Sequence, residues 1–74
     1  MNRPTRIALE LLKKYESATL TAGKTTVDGR GKGANLYINF HTARALERRE
    51  LGVITYGLGD STIDITVAGV EFEL

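Results

Sequence analysis

Residues 39–69 read N-F-H-T-A-R-A-L-E-R-R-E-L-G-V-I-T-Y-G-L-G-D-S-T-I-D-I-T-V-A-G. The apolar period changes inside this stretch, and that change sets the fold class. Over residues 40–50, Phe40, Ala43 and Leu46 fall on one side of a helical wheel, with Leu51 close by. His41, Arg44, Arg48 and Arg49 fall on the other side, with Ala45 among them. That is a helix with a core face and a basic face. Asn39 suits its N-cap and Gly52 its termination. From residue 53 the period drops to two. Val53–Leu58 reads as one strand, and Ile63, Ile65 and Val67 alternate with Thr62, Asp64 and Thr66 in another. Gly57, Gly59, Asp60 and Ser61 supply the turn between them. The phase slips by one residue at Ala68-Gly69, which predicts a bulge or turn, and Val70, Phe72 and Leu74 then take over the alternation, so residues 67–74 read as either a strand or a short final helix.

Outward from this core, residues 4–16 predict an amphipathic helix with Ile7, Ala8, Leu11, Leu12 and Tyr15 as its apolar stripe. Pro4 suits the first helical position, and Lys13 and Lys14 sit where the helix dipole favours cations. Residues 18–39 predict two short strands around a glycine-rich basic loop at 28–34. Thr19, Thr21, Thr25, Thr26 and Val27 favour one strand, and Leu36, Tyr37 and Ile38 the other. Asp28-Gly29 is a hairpin-turn signal. The expectation is a single α+β domain over residues 1–74, in the order α-β-β-α-β-β, with two helices packed on a small antiparallel sheet. Its core is expected to draw on Ile7, Leu11, Leu12, Tyr15, Phe40, Leu46, Ile54, Ile63, Ile65 and Phe72.

Composition narrows the function. There is no cysteine and one histidine, His41, so disulfides are excluded and a zinc site lacks ligands. The longest apolar run, Ile7–Leu12, is broken by Glu10 and followed by Lys13 and Lys14, which speaks against a leader peptide or membrane span and for a cytoplasmic protein. The net charge is only +1, yet its distribution is uneven. Residues 1–49 carry ten Lys and Arg against four acids, and residues 50–74 carry five acids and no base. Such polarity reads either as a chance arrangement on a solvated surface or as a basic face presented to an anionic partner.

The motifs argue against catalysis. Ala18–Thr25, A-T-L-T-A-G-K-T, falls one residue short of a phosphate-binding loop, with alanine in the place of its first glycine. Such a loop needs a strand before it and a helix after it, whereas here a helix precedes and β-prone threonines follow. It reads as a turn with an exposed Lys24. Arg30 and Lys32, between Gly29, Gly31 and Gly33, form a basic loop suited either to settling on phosphates or to serving as a solvated tip. His41 has no cysteine partner and reads as a surface or capping residue. Asp60, Asp64, Glu71 and Glu73 lack calcium-loop spacing and read as a solvated face. No enzyme activity, metal or cofactor is expected.

From Thr42 onward the chain resembles winged-helix DNA-binding domains, among them small phage and bacterial regulators. Those often show a helix ending in A-L-E-R-R-G-L-I, followed by a β-hairpin wing closed by leucine or isoleucine, threonine, two residues and glycine. Ala45, Leu46, Glu47, Arg48, Arg49, Leu51, Ile65, Thr66 and Gly69 match, and Glu50 stands where the family usually has glycine. The resemblance implies that the 40–50 helix is a recognition helix, with Arg44, Arg48 and Arg49 facing nucleic acid and Gly57–Ser61 as the wing tip. The expected function is non-enzymatic nucleic-acid binding, with DNA the expected form, of a regulatory or phage type. The expected footprint is Lys24, Arg30, Lys32, His41, Arg44, Arg48 and Arg49. The alternative partner is a protein. It would be a host protein that a small phage inhibitor or adaptor contacts, or a second copy in a homodimer, joined through an open strand edge at Val70, Phe72 and Leu74.

Overall fold

A computed structural model describes residues 1–22 and 37–74. Helix α1 spans Arg3–Tyr15 and α2 spans Phe40–Arg48. A third, short helix, α3, spans Val67–Glu71. Four strands, β1 (Ser17–Thr21), β2 (Tyr37–Asn39), β3 (Gly52–Thr55) and β4 (Thr62–Ile65), form one sheet in the order β2-β1-β4-β3. The described residues therefore run α-β-β-α-β-β-α, one helix more than expected.

The sheet is mixed, which corrects the antiparallel expectation. β4 runs antiparallel to both β1 and β3, but β1 and β2 run parallel, with Thr19 opposite Tyr37 and Leu20 opposite Ile38. Parallel neighbours need a crossover of a dozen or more residues rather than a tight turn. β1 and β2 therefore do not make the hairpin that Asp28-Gly29 suggested; that dipeptide lies outside the described residues. β2 leads straight into α2 through Asn39, whose side chain accepts the His41 and Thr42 amides at 2.6 and 3.4 Å.

One sheet face carries Ala18, Leu20, Ile38, Ile54 and Ile63, all buried in a single cluster with Ala8, Leu9 and Leu12 of α1 and Ala43 and Leu46 of α2. The alternate residues Ser17, Val53, Thr55 and Asp64 are exposed, as a sheet covered on one side requires. The outward Asp64 agrees with its reading as a solvated residue. Leu12, Leu46, Ile54 and Ile63 are core residues as expected, and Leu11, Tyr15, Phe40 and Ile65 pack partly buried against them. Ile7 and Phe72 are corrections, since both are more than one-third exposed. The apolar residues of α1 cover a broad arc, about 200° at 100° per residue. The sheet and α2 cover the side that holds Thr5, Ala8, Leu9 and Leu12, and they leave Ile7 outside.

The phase slip at Ala68-Gly69 is the start of α3, so residues 70–74 do not continue as a strand. This removes the open edge expected at Val70, Phe72 and Leu74. Thr66 makes the change of structure. Its Oγ1 accepts the Gly69 amide at 3.0 Å as an N-cap and donates to the Glu50 carbonyl at 2.8 Å, while its amide donates to the Leu51 carbonyl at 3.1 Å. Gly69 packs so closely on this junction that an added Cβ would lie 2.4 Å from the Leu51 carbonyl oxygen. Beyond α3 the Phe72 carbonyl accepts a hydrogen bond from Lys13 Nζ, which ties the tail to α1.

The end of α2 explains its two acids. Leu51 N–H donates to the Leu46 carbonyl and Glu50 N–H to the Glu47 carbonyl, the two bonds of a Schellman cap. That cap puts Glu50 at φ 63°, a left-handed conformation that glycine adopts without penalty. Glu47 turns toward β3, where its carboxylate accepts the Ile54 amide at 3.3 Å. Ile54 sits on an edge strand of the described sheet, so this bond satisfies an amide that none of the described strands covers.

Candidate nucleic-acid interface

α2 builds the candidate interface. Its core face is Thr42, Ala43 and Leu46, all buried. His41, Arg44 and Arg48, at spacings of three and four residues, lie exposed on the opposite face, and Arg49 is exposed at the C-cap. The helix dipole adds little to this face, because the arginines sit along its length rather than beyond its N-terminus. Arg44 is steered by a neighbour, its guanidinium lying 5.5 Å from the centroid of the Phe40 ring. A guanidinium on an aromatic face keeps its edge donors free for an anion. Glu47, the one acid within α2, is engaged by β3, so it does not neutralise the arginines directly.

The structure brings four of the seven expected footprint residues onto one helix and its cap: His41, Arg44, Arg48 and Arg49. Lys24, Arg30 and Lys32 lie outside the described residues. The β3–β4 turn, which holds the Gly57–Ser61 wing tip of the resemblance, is exposed over Tyr56–Asp60 and partly buried at Ser61. It presents Tyr56 and the fully exposed Leu58 with Asp60, and no base.

One feature of the site has no counterpart in the sequence reading. A cleft of about 320 Å³ lies between the start of α1 and the face of α2 that holds His41 and Arg48. Asn2, Thr5, Asn39 and Thr42 supply the rest of its polar lining. Arg48 and His41 thus belong both to the basic face and to a concave site, whereas Arg44 does not line it. A sequence signal for the cleft existed. Each long helix begins Asn-x-x-Thr, at Asn2–Thr5 and Asn39–Thr42. In both, the asparagine carboxamide oxygen caps the threonine amide, at 3.0 Å in α1 and 3.4 Å in α2.

Among the described residues no group of three or more His, Cys, Asp or Glu side chains is placed to hold a metal ion, and no helix is long and apolar enough to cross a membrane. Comparison of the chain with protein families, curated proteins and solved structures finds no match.

Proposed function

We propose that this protein binds nucleic acid, with DNA the expected form, by docking the exposed basic face of α2. The observation that carries the reading is that His41, Arg44 and Arg48 share one exposed helix face opposite the core, with Arg49 at its end. An α-helix with such a face fits the major groove, where arginines contact phosphates and the edges of guanine. The order α2-β3-β4, a basic helix followed by an antiparallel hairpin, also supports a winged-helix mode in which α2 reads and the hairpin flanks. The apolar tip with Tyr56 and Leu58 then contributes contact rather than charge.

The test is the double variant Arg44→Ala/Arg48→Ala, assayed for duplex binding and for melting temperature. Both side chains are exposed, so the fold is expected to survive while binding falls by about a hundred-fold, on the basis of about 1.5 kcal/mol for each charge-assisted contact. A folded double variant that binds like the wild type overturns the footprint.

A second reading has its own observation. Leu58, Val67, Tyr56 and Val70 are each more than half exposed, an apolar content that suits a protein partner or a second copy. Sedimentation over a range of concentration and salt tests the self-associating form, and a strict monomer at high concentration removes it.

A further inference from the structure

We infer that the cleft between α1 and α2 is a phosphoryl-binding pocket. Every polar side chain of its described lining can donate a hydrogen bond into it, and none is an acid. The carboxamide oxygens of Asn2 and Asn39 are occupied by helix amides, which leaves their NH₂ groups as the free ends. Arg48 brings donors only, and His41 brings at least one. The two threonines decide the matter. Thr5 is 3% exposed and Thr42 6%, and both line the cleft. Neither hydroxyl has a hydrogen-bond partner among the described residues. Buried hydroxyls pair with protein or with water, so both are open to an acceptor that enters the cleft.

The lining also carries positive potential without a compensating carboxylate. The N-terminus of α1 and the first turn of α2 border the cleft and turn their positive dipole ends to it, while Arg48, in the last turn of α2, brings its charge from the other end. An acceptor-rich tetrahedral anion fits such a set of donors, and a volume near 320 Å³ holds a phosphate with its attached group. Pro4 and Ala45 give the remaining wall an apolar surface against which a sugar or other attached group can rest. The phosphoryl group belongs either to a nucleic-acid backbone or to a free phosphorylated small molecule. The first source rests on the function proposed above, and the second does not.

The test is an amide NMR titration of the whole chain with sodium phosphate, against sodium chloride at matched ionic strength. Saturable shifts at Asn2, Thr5, His41 and Thr42, seen with phosphate and not with chloride, are the expected result. Arg48→Gln, an exposed position that leaves folding intact, should weaken this binding about ten-fold, the effect of one charge-assisted hydrogen bond. Thr5→Val/Thr42→Val should weaken it at least as much, with folding checked by the same spectra. Weaker duplex binding by the threonine variant assigns the pocket to a backbone phosphate. Unchanged duplex binding by that variant, with phosphate binding lost, assigns it to a free phosphorylated ligand. Saturable phosphate binding with no duplex binding by the wild type keeps the pocket and removes the nucleic-acid reading. No saturable phosphate shifts, or shifts unaffected by Arg48→Gln, overturn the pocket even where duplex binding is intact.

Discussion

Glu50→Gly should make this protein more stable. Glu50 occupies the left-handed position of the cap that ends α2, at φ 63°. An L-residue in that conformation costs about 1–2 kcal/mol. Glycine removes this cost but returns about 0.5–1 kcal/mol through the freedom it gives the unfolded chain. The change also takes a negative charge from a helix C-terminus, a further gain of about 0.3 kcal/mol or more. The Glu50 side chain is exposed, and its hydrogen bonds use its backbone: its amide donates to the Glu47 carbonyl and its carbonyl accepts from Thr66 Oγ1. The net gain is about 0.5–1.5 kcal/mol, and in a domain of this size each kcal/mol raises the melting temperature by about 4–8 °C. Thermal denaturation followed by circular dichroism reads it. Glu50→Gln keeps the strained backbone and should show the charge effect alone. A Glu50→Gly protein that melts at or below the wild-type temperature would show that the left-handed position of Glu50 carries no such cost. Glu16, at φ 76° after α1, should respond with the same sign.

Two further outcomes test the packing. Gly69→Ala should lower stability by about 1–3 kcal/mol, because its methyl group meets the Leu51 carbonyl at the junction that Thr66 organises; chemical denaturation measures it, and a neutral result would mean that the junction yields. Leu9→Ala should cost about 2–5 kcal/mol and Ile7→Ala far less, since Leu9 is fully buried and Ile7 is 38% exposed. Equal losses in the same denaturation assay would restore the helix face expected from the apolar stripe.

The parts legible in the sequence were those set by local period and capping. α2 begins at Asn39 as its cap predicts, and the alternation of Ile63 and Ile65 lies on β4. The misreadings came where tertiary contacts choose among local options. The wide apolar arc of α1 allowed two core faces, and packing selected the one with Leu9. The alternation of Val70, Phe72 and Leu74 left residues 67–74 open between strand and helix, and the Thr66 cap and the close seat of Gly69 select a helical turn. Strand direction was hidden for a different reason, because a turn dipeptide does not say which strands it joins. In the candidate site the basic face was readable from helical spacing alone. The cleft was not, since it depends on how two helices cross. Its trace in the sequence, Asn-x-x-Thr at both helix starts, gains meaning only when the two starts share one wall.

Docking of nucleic acid on the charged α2 face is read by fluorescence anisotropy of a labelled, mixed-sequence DNA duplex of about 20 base pairs, long enough to expose both grooves. The duplex is titrated with the protein between 50 and 200 mM salt. Counterion release gives a slope of about −0.9 in log affinity against log salt for each phosphate neutralised. Three arginines then give about −2.7, a loss of roughly 40-fold over that range, and further basic contacts steepen it. Binding with a slope of at least this size is the expected result. Absence of binding by folded protein at 50 mM salt, or binding with no salt dependence, contradicts it.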